Sequence, residues 1–230
     1  MIPPPRTLIK KFCRKLVAIG SPNDIVCHFT RCIEFIGYNG IEGDLLEFGV
    51  FRGGSLIVLD QISRNILRKR LNMNIRIFGF DSFQGLPEPK GIDKDSKKNR
   101  LNFRQGRYRC TKEEVLRRLK EHRADLDHIQ LIEGWYDQIL TPELRQQLQI
   151  NKASFINIDC DLYQSAITVL NWCEPLIDQG TVINFDDWFC YQGSSERGLQ
   201  RAFHEFLDSH PELTTSSFST CGWYGKAFIL

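Results

Sequence analysis

Two strand patterns near the end of the chain, Leu213–Thr220 and Lys226–Leu230, are joined by Cys221–Gly225 alone. A parallel pair needs a crossover of a dozen or more residues, so these two strands must pair antiparallel. Upstream the pattern is different. Strand patterns at Asp44–Phe48, Ile75–Phe80, His128–Ile132, Ser154–Asp159 and Thr181–Phe185 alternate with helix patterns. The helices are read at Gly54–Arg70, from Thr111 to about His122, from Thr141-Pro142, at Gln164–Cys173 and at Ser195–Ser209. Thr111-Lys-Glu-Glu114 is a capping box, and Thr141-Pro142 pairs an N-cap with a first-turn proline. The pattern predicts an α/β fold: a doubly wound, Rossmann-like, seven-stranded, mostly parallel sheet with a C-terminal antiparallel hairpin. Residues 7–19 and 22–36 read as helices ahead of the first strand, with Ser21-Pro22 opening the second.

A chain of 230 residues is long enough for one sizeable α/β core and short for two. A single domain over 1–230 is therefore expected, with 1–40 as a helical N-terminal extension. The net charge of +2 gives no argument for nucleic acid or for a membrane surface. No stretch approaches the ~20 apolar residues of a membrane span. Met1-Ile-Pro-Pro-Pro runs into the mixed segment Arg6–Gly20, which is no signal-peptide pattern. Of the 8 cysteines, Cys160 and Cys173 sit in apolar stretches and read as small buried hydrophobes. A reducing, cytoplasmic setting is expected. Cys27-His28 and Cys32 form a small Cys/His cluster whose spacing matches no common zinc pattern.

The segment between Phe83 and Cys110 is long for a loop in a compact domain, and residues 84–110 read as an active-site lid. From Glu88 to Arg109 it carries Lys90, Lys94, Lys97, Lys98, Arg100, Arg104, Arg107 and Arg109 against three acidic residues. Two readings stay open: a solvated surface loop, or a mobile flap that closes over a cofactor or attracts an anionic acceptor.

Leu45-Leu-Glu-Phe-Gly-Val-Phe-Arg-Gly-Gly-Ser55 is an apolar strand running into a glycine turn and then a helix. Gly49 permits a sharp turn and close approach to a ligand, while Gly53 and Gly54 let the helix start pack beneath it. The spacing is not that of the dinucleotide fingerprint. Glu47, just before the turn, suits a cationic amino group such as that of S-adenosylmethionine (SAM) better than a pyrophosphate. Asp81 ends the second strand, where such sheets place an acid on ribose hydroxyls; a turn aspartate is the alternative. Gly134-Trp135 follows the third strand, and Trp135 reads either as an adenine-flanking ring or as a core tryptophan.

Two acidic pairs end consecutive strands. In Phe155-Ile-Asn-Ile-Asp-Cys-Asp161, alternation sets Asp159 opposite Ile156 and Ile158, with Asp161 just beyond. Asp186 and Asp187 hold the same place after the next strand. In a doubly wound sheet these ends are neighbours at the carboxyl edge. Four converging carboxylates repel one another and call for a cation. Hard oxygen ligands select Mg²⁺, Mn²⁺ or Ca²⁺ over zinc.

Together, Glu47–Gly54, Asp81-Ser-Phe-Gln-Gly-Leu-Pro-Glu-Pro89, Gly134-Trp-Tyr, Asp159-Cys-Asp-Leu-Tyr-Gln-Ser165 and Asp186-Asp-Trp188 resemble the macrocin O-methyltransferase (TylF-type) family. The resemblance runs from about residue 40 to 210. It implies a class I SAM methyltransferase fold and Mg²⁺-dependent methylation of a hydroxyl, typically on a sugar of a natural product. Asp159, Asp186 and Asp187 fall on the metal positions, Mg²⁺ or Mn²⁺ being the expected ion, and Asp161 on the base. Glu47, Gly49, Asp81 and Ser82 fall on SAM-contacting positions; Arg52, Gly53, Ser55, Gly134 and Trp135 complete the expected cofactor set. Cys160, Phe185 and Trp188 depart from the family's usual residues and leave the acceptor open. The expected partner is a small glycoside or diol; neither nucleic acid nor membrane is expected, and a homo-oligomer is left open. A catechol-type O-methyltransferase, a metal-dependent glycosyltransferase and an inactive SAM-binding module remain as alternatives.

Overall fold

Asp44-Leu-Leu-Glu-Phe48 forms β1 and is buried along its whole length, as a central parallel strand covered on both faces must be. The computed structural model describes residues 22–98 and 102–230, so the helix read at 7–19 lies outside the described residues. β1 lies parallel to β2 (Ile77–Asp81) and to β4 (Ala153–Ile158). β3 (Ile129–Glu133) extends the sheet beyond β2, and β5 (Val182–Phe185) lies beside β4. The hairpin β6 (Ser216–Cys221) and β7 (Gly225–Ile229) is antiparallel, with β7 inserted against β5, so the order is β3-β2-β1-β4-β5-β7-β6. The strand order reverses between β1 and β4. Such a switch point opens a crevice outside the carboxyl ends of the strands.

Alternation along the strands feeds two cores. Leu45, Phe155 and Val182 face one, covered by α1 (Pro22–Tyr38), α2 (Gly54–Ser63) and α3 (Lys112–Glu121). Leu46, Phe48, Ile156, Ile158, Ile183 and Phe185 face the other. That second face is covered in part by α6 (Tyr163–Cys173) and α7 (Gly198–Ser209), which follow the short helices α4 (Tyr136–Ile139) and α5 (Pro142–Leu148). Phe185 and Trp188, two departures from the family pattern, pack with Phe203 and Phe228 at ring separations of 4.6–6.1 Å.

Several expectations shift. The helix read at 54–70 is α-helical only to Ser63; a π turn at Arg64–Arg68 and a last turn Lys69–Leu71 follow, and left-handed Asn72 ends it. α4 had no separate reading, and α7 starts at Gly198 rather than Ser195. The loop after β2 is not a simple solvated stretch: it holds a 3₁₀ segment at Gly91–Lys98. Its base is closed by Leu86 N–H donating to Arg107 O (2.8 Å) and Gly106 N–H donating to Leu86 O (2.9 Å). Phe103 is buried with Leu86, Leu162, Cys190 and Tyr191, so the loop packs on the turns that carry the acidic pairs. The Cys27-His28-Cys32 cluster forms no metal site, because both ring nitrogens of His28 are held by Asn184 and Ser219. The described cysteines are all free. Among the described residues no helix is long and apolar enough to cross a membrane.

Candidate active site

β1 stays paired to both neighbours at its end: Gly49 N–H donates to Phe80 O of β2 (2.9 Å), and Asp159 N–H, just after β4, donates to Phe48 O (2.8 Å). Gly49 has φ +98°, and a Cβ there would lie 1.7 Å from the Asp159 carbonyl oxygen. Only glycine fits this point, where the glycine turn and the first acidic pair meet. Asp81 secures the same turn from β2. Its Oδ2 accepts from Val50 N–H (2.8 Å) and Phe51 N–H (3.0 Å), and its Oδ1 from Phe83 N–H (2.7 Å). Asp81 thus holds the turn and also lines the crevice. Ser82 closes the next turn by donating to Gly85 O (3.0 Å). After β3, Gly134 N–H donates to Asp81 O (3.0 Å), and a Cβ on Gly134 would meet Ile139 at 2.3 Å.

Glu47, Arg52, Gly53 and Ser55 are not among the residues lining the crevice. Glu47, two residues after Leu45, shares its face and therefore points beneath α1 and α2, where it is 0% exposed. Its Oε1 accepts from Ser55 Oγ (2.8 Å), and its Oε2 has no partner. Burial pushes the Glu47 carboxyl up to about 8, against the donors Ser55 and Asn157; Asp186 and Asp81 add to the rise. The Arg52 carbonyl accepts from Arg118, and its guanidinium lies over the Phe51 ring. Gly53, at φ +72°, is the N-cap of α2.

Asp159, Asp186 and Asp187 present ligand oxygens that all lie within 4.8 Å of one another. Asp161, left-handed at φ +61°, is 7% exposed and interacts electrostatically with Asp187. Tyr191 donates from its hydroxyl to the Asp161 carbonyl (2.8 Å), and Cys190 donates to Asp187 Oδ1 (2.9 Å). A strained non-glycine residue persists only where its surroundings over-determine it, and such residues cluster at active sites. Burial, then mutual repulsion, pushes Asp159 and Asp161 well above the carboxylate range. Asp186 is pushed up to about 8 for the same two reasons, and Asp187 rises through burial. Arg107 is the cation that opposes the rise at Asp161. An all-oxygen set whose charges repel fits a hard divalent cation.

These elements meet in one cavity of about 640 Å³, within the range of small-molecule sites. Gly49, Asp81, Ser82, Gly134 and Trp135 line it together with Asp159, Asp161, Asp186 and Asp187. Trp135 is half-buried on this wall rather than in the core. The loop after β2 contributes Lys90, Asp93 and Tyr108; of its other basic residues, Arg100 and the side chains of Lys97 and Lys98 lie outside the described residues. Sequence reasoning missed Asp93. Its carboxylate, 2% exposed, accepts from Tyr163 N–H and Gln164 N–H (3.0 Å each), capping α6 immediately after the Asp161 turn. A contact across 70 positions leaves no local pattern to find it by.

The profile described as "Macrocin-O-methyltransferase (TylF)" matches residues 21–215. The 8-demethyl-8-(2,3-dimethoxy-alpha-L-rhamnosyl)-tetracenomycin-C 4'-O-methyltransferase of Streptomyces olivaceus is 30% identical over 159 residues, 68% of this chain and 57% of that protein. The demethyldecarbamoylnovobiocin O-methyltransferase of Streptomyces niveus is 29% identical over 160 residues, 69% of this chain and 57% of that protein. The chain thus spans under two thirds of the length of these curated relatives. The solved structure of the O-methyltransferase NovP covers 89% of this chain and 78% of its own, at a TM-score of 0.70 and 22% identity. That of the calicheamicin methyltransferase CalS11 covers 100% and 94%, at a TM-score of 0.69 and 18% identity. At such identities the likeness speaks for the fold, the class I SAM methyltransferase sheet with its reversed strand. With the profile spanning the five parallel strands and both acidic pairs, the chain belongs to the macrocin O-methyltransferase (TylF) family.

Proposed function

We propose that the chain catalyses SAM-dependent O-methylation of one hydroxyl of a vicinal diol, on a sugar or other natural-product acceptor. The observation that carries this reading is the single cavity that gathers the glycine turn, Asp81 and the four carboxylates. SAM, when bound, supplies an electrophilic methyl group; its ribose and adenine match Asp81 and Trp135 on the cavity wall, and its ammonium matches the unpartnered Oε2 of Glu47, buried just behind the glycine turn. Asp159, Asp186 and Asp187 would hold Mg²⁺ or Mn²⁺, which when bound acts as a Lewis acid that lowers the pKa of an acceptor hydroxyl.

Asp161 is the general base. Its carbonyl is tied by Tyr191 and the following helix start by Asp93, so the carboxylate is presented from a fixed turn. A carboxyl raised by burial takes a proton more readily near neutrality than an exposed one. Asp161 would take the proton of the acceptor hydroxyl while its oxygen gains the methyl group, the methyl–sulfur bond of the sulfonium breaking to leave S-adenosylhomocysteine; the cavity walls would supply alignment and exclude water.

The acceptors named for the two relatives, a tetracenomycin rhamnoside and a novobiocin precursor, favour a glycoside over a small catechol. Incubation with methyl-labelled SAM, MgCl₂ and those two compounds, with catechol alongside, tests the reading. Label in a glycoside is expected, and Asp161→Asn should lower kcat by roughly 10²–10⁴-fold. Label in catechol alone would move the chain to the catechol type. Full turnover by Asp161→Asn would remove the base.

A further inference from the structure

Glu47, Asn157 and Asn184 lie side by side in register across β1, β4 and β5, and the row continues through Ala227 to Ser219. These strands turn Leu45, Phe155 and Val182 toward α1 and α2, so by alternation Glu47, Asn157 and Asn184 face the same side. His28, on α1 and 1% exposed, bridges the far end of the row. The result is a polar chain inside an apolar core.

Its direction is determined by chemistry. Asn184 Oδ1 can only accept, so His28 Nε2 carries the proton of their 2.7 Å bond. Burial lowers the pKa of His28, which keeps the ring neutral, and its Nδ1 then accepts from the Ser219 hydroxyl at 3.1 Å. The Arg31 guanidinium donates to Ser219 Oγ at 3.5 Å. Asn184 Nδ2 donates to Asn157 Oδ1 at 2.7 Å, which leaves the Asn157 amide to donate toward Glu47. Every donation runs from Arg31 at the surface to Glu47, two residues before the cavity wall at Gly49. Ser55 donates to the same carboxylate from the other side. Glu47 thus receives donors only, and its enclosed Oε2 still lacks a partner. A buried carboxylate oxygen is costly when unpaired and is satisfied best by a cation.

We infer that this one-way donor chain prepares Glu47 to receive the cofactor's ammonium group, and that His28 is a positioning residue for cofactor binding, acting through Asn184 and Asn157. The inference rests on the proposed SAM site. The effect of His28 is felt only by ligands that carry the ammonium. S-adenosylhomocysteine has it; 5'-methylthioadenosine keeps the adenosine and the sulfur and lacks the amino-acid end.

Calorimetry on the full chain with both ligands is the test. His28→Leu, which removes the donor, should raise the Kd for S-adenosylhomocysteine by about tenfold, the loss of one charge-supporting hydrogen bond, and change that for methylthioadenosine by less than about twofold. His28→Gln, whose amide restores a donor, should recover most of the affinity. Glu47→Gln should show the same ligand selectivity, and adding His28→Leu to it should cost little more, because both act on one interaction. Parallel weakening of both ligands, or additive losses in the double variant, would reduce His28 to a stability role and overturn the inference. Should His28→Leu not fold, Ser219→Ala at the half-buried end carries the same paired measurement. Wild-type protein that binds neither ligand would sink the SAM site itself. Wild-type protein that binds both, with variants that bind both equally well, would sink the donor chain alone.

Discussion

Without a cation, the acidic cluster should make the fold less stable as pH rises, and a divalent ion should reverse this. Asp186 moves from an ordinary 3.8 to about 8, and Asp159, Asp161 and Asp187 move in the same direction. A raised carboxyl binds its proton more tightly in the native state than in the unfolded chain. Its contribution is therefore fully present below the unfolded pKa and is lost as pH climbs through the folded one. Thermal melts in EDTA should fall in Tm across the window from 3.8 to about 8. An ion bound only by the native state, at 100 times its Kd, stabilises by about 2.7 kcal/mol. For a domain of this size that is a rise of roughly 5–11 °C, at about 2–4 °C per kcal/mol. The rise should be largest at the alkaline end, where all the carboxylates are charged. Asp187→Asn removes one of the repelling charges, so in EDTA it should melt at or above the wild type while losing most of the response to MgCl₂. Differential scanning calorimetry reads both effects. A Tm in EDTA that holds or climbs over this window, or an equal Mg²⁺ shift in Asp187→Asn, would refute the electrostatic account of the cluster.

Gly49→Ala must accommodate a Cβ 1.7 Å from Asp159 O, at a φ that itself costs about 1–3 kcal/mol for a side chain. The variant should lose folded protein or melt far below the wild type in urea, and an unchanged midpoint would show that the turn relaxes. Asp93→Ala leaves two first-turn N–H groups of α6 without their acceptor and should cost about 1–2 kcal/mol by urea melts. It should also lower kcat more than it raises the KM for SAM, because the Asp161 turn loosens. Asp93→Asn should fall between, and equal values for Ala and wild type would leave the cap with no role.

Residues close in sequence carried much of the layout. The five residues Cys221–Gly225 forced an antiparallel pair, and Thr111 caps its helix by accepting from Glu114 N–H (3.3 Å). The acidic pairs were legible as neighbours because parallel strands all end at one edge, so two motifs following consecutive strands must meet there. Gly49 was legible as a point of close approach, though not what approaches it: the Asp159 carbonyl. The tertiary structure alone decided the rest. It inserted β7 between β5 and β6, capped α6 with a loop carboxylate 70 residues away, and joined His28 to Ser219 across 191 positions. It also set Glu47 beneath the helices, fully buried behind the glycine turn rather than on the crevice lining. Periodicity and caps act within one or two turns of chain and leave a pattern there. Which distant side chains share a face depends on strand order and register, and those are settled only when the two cores close around the sheet.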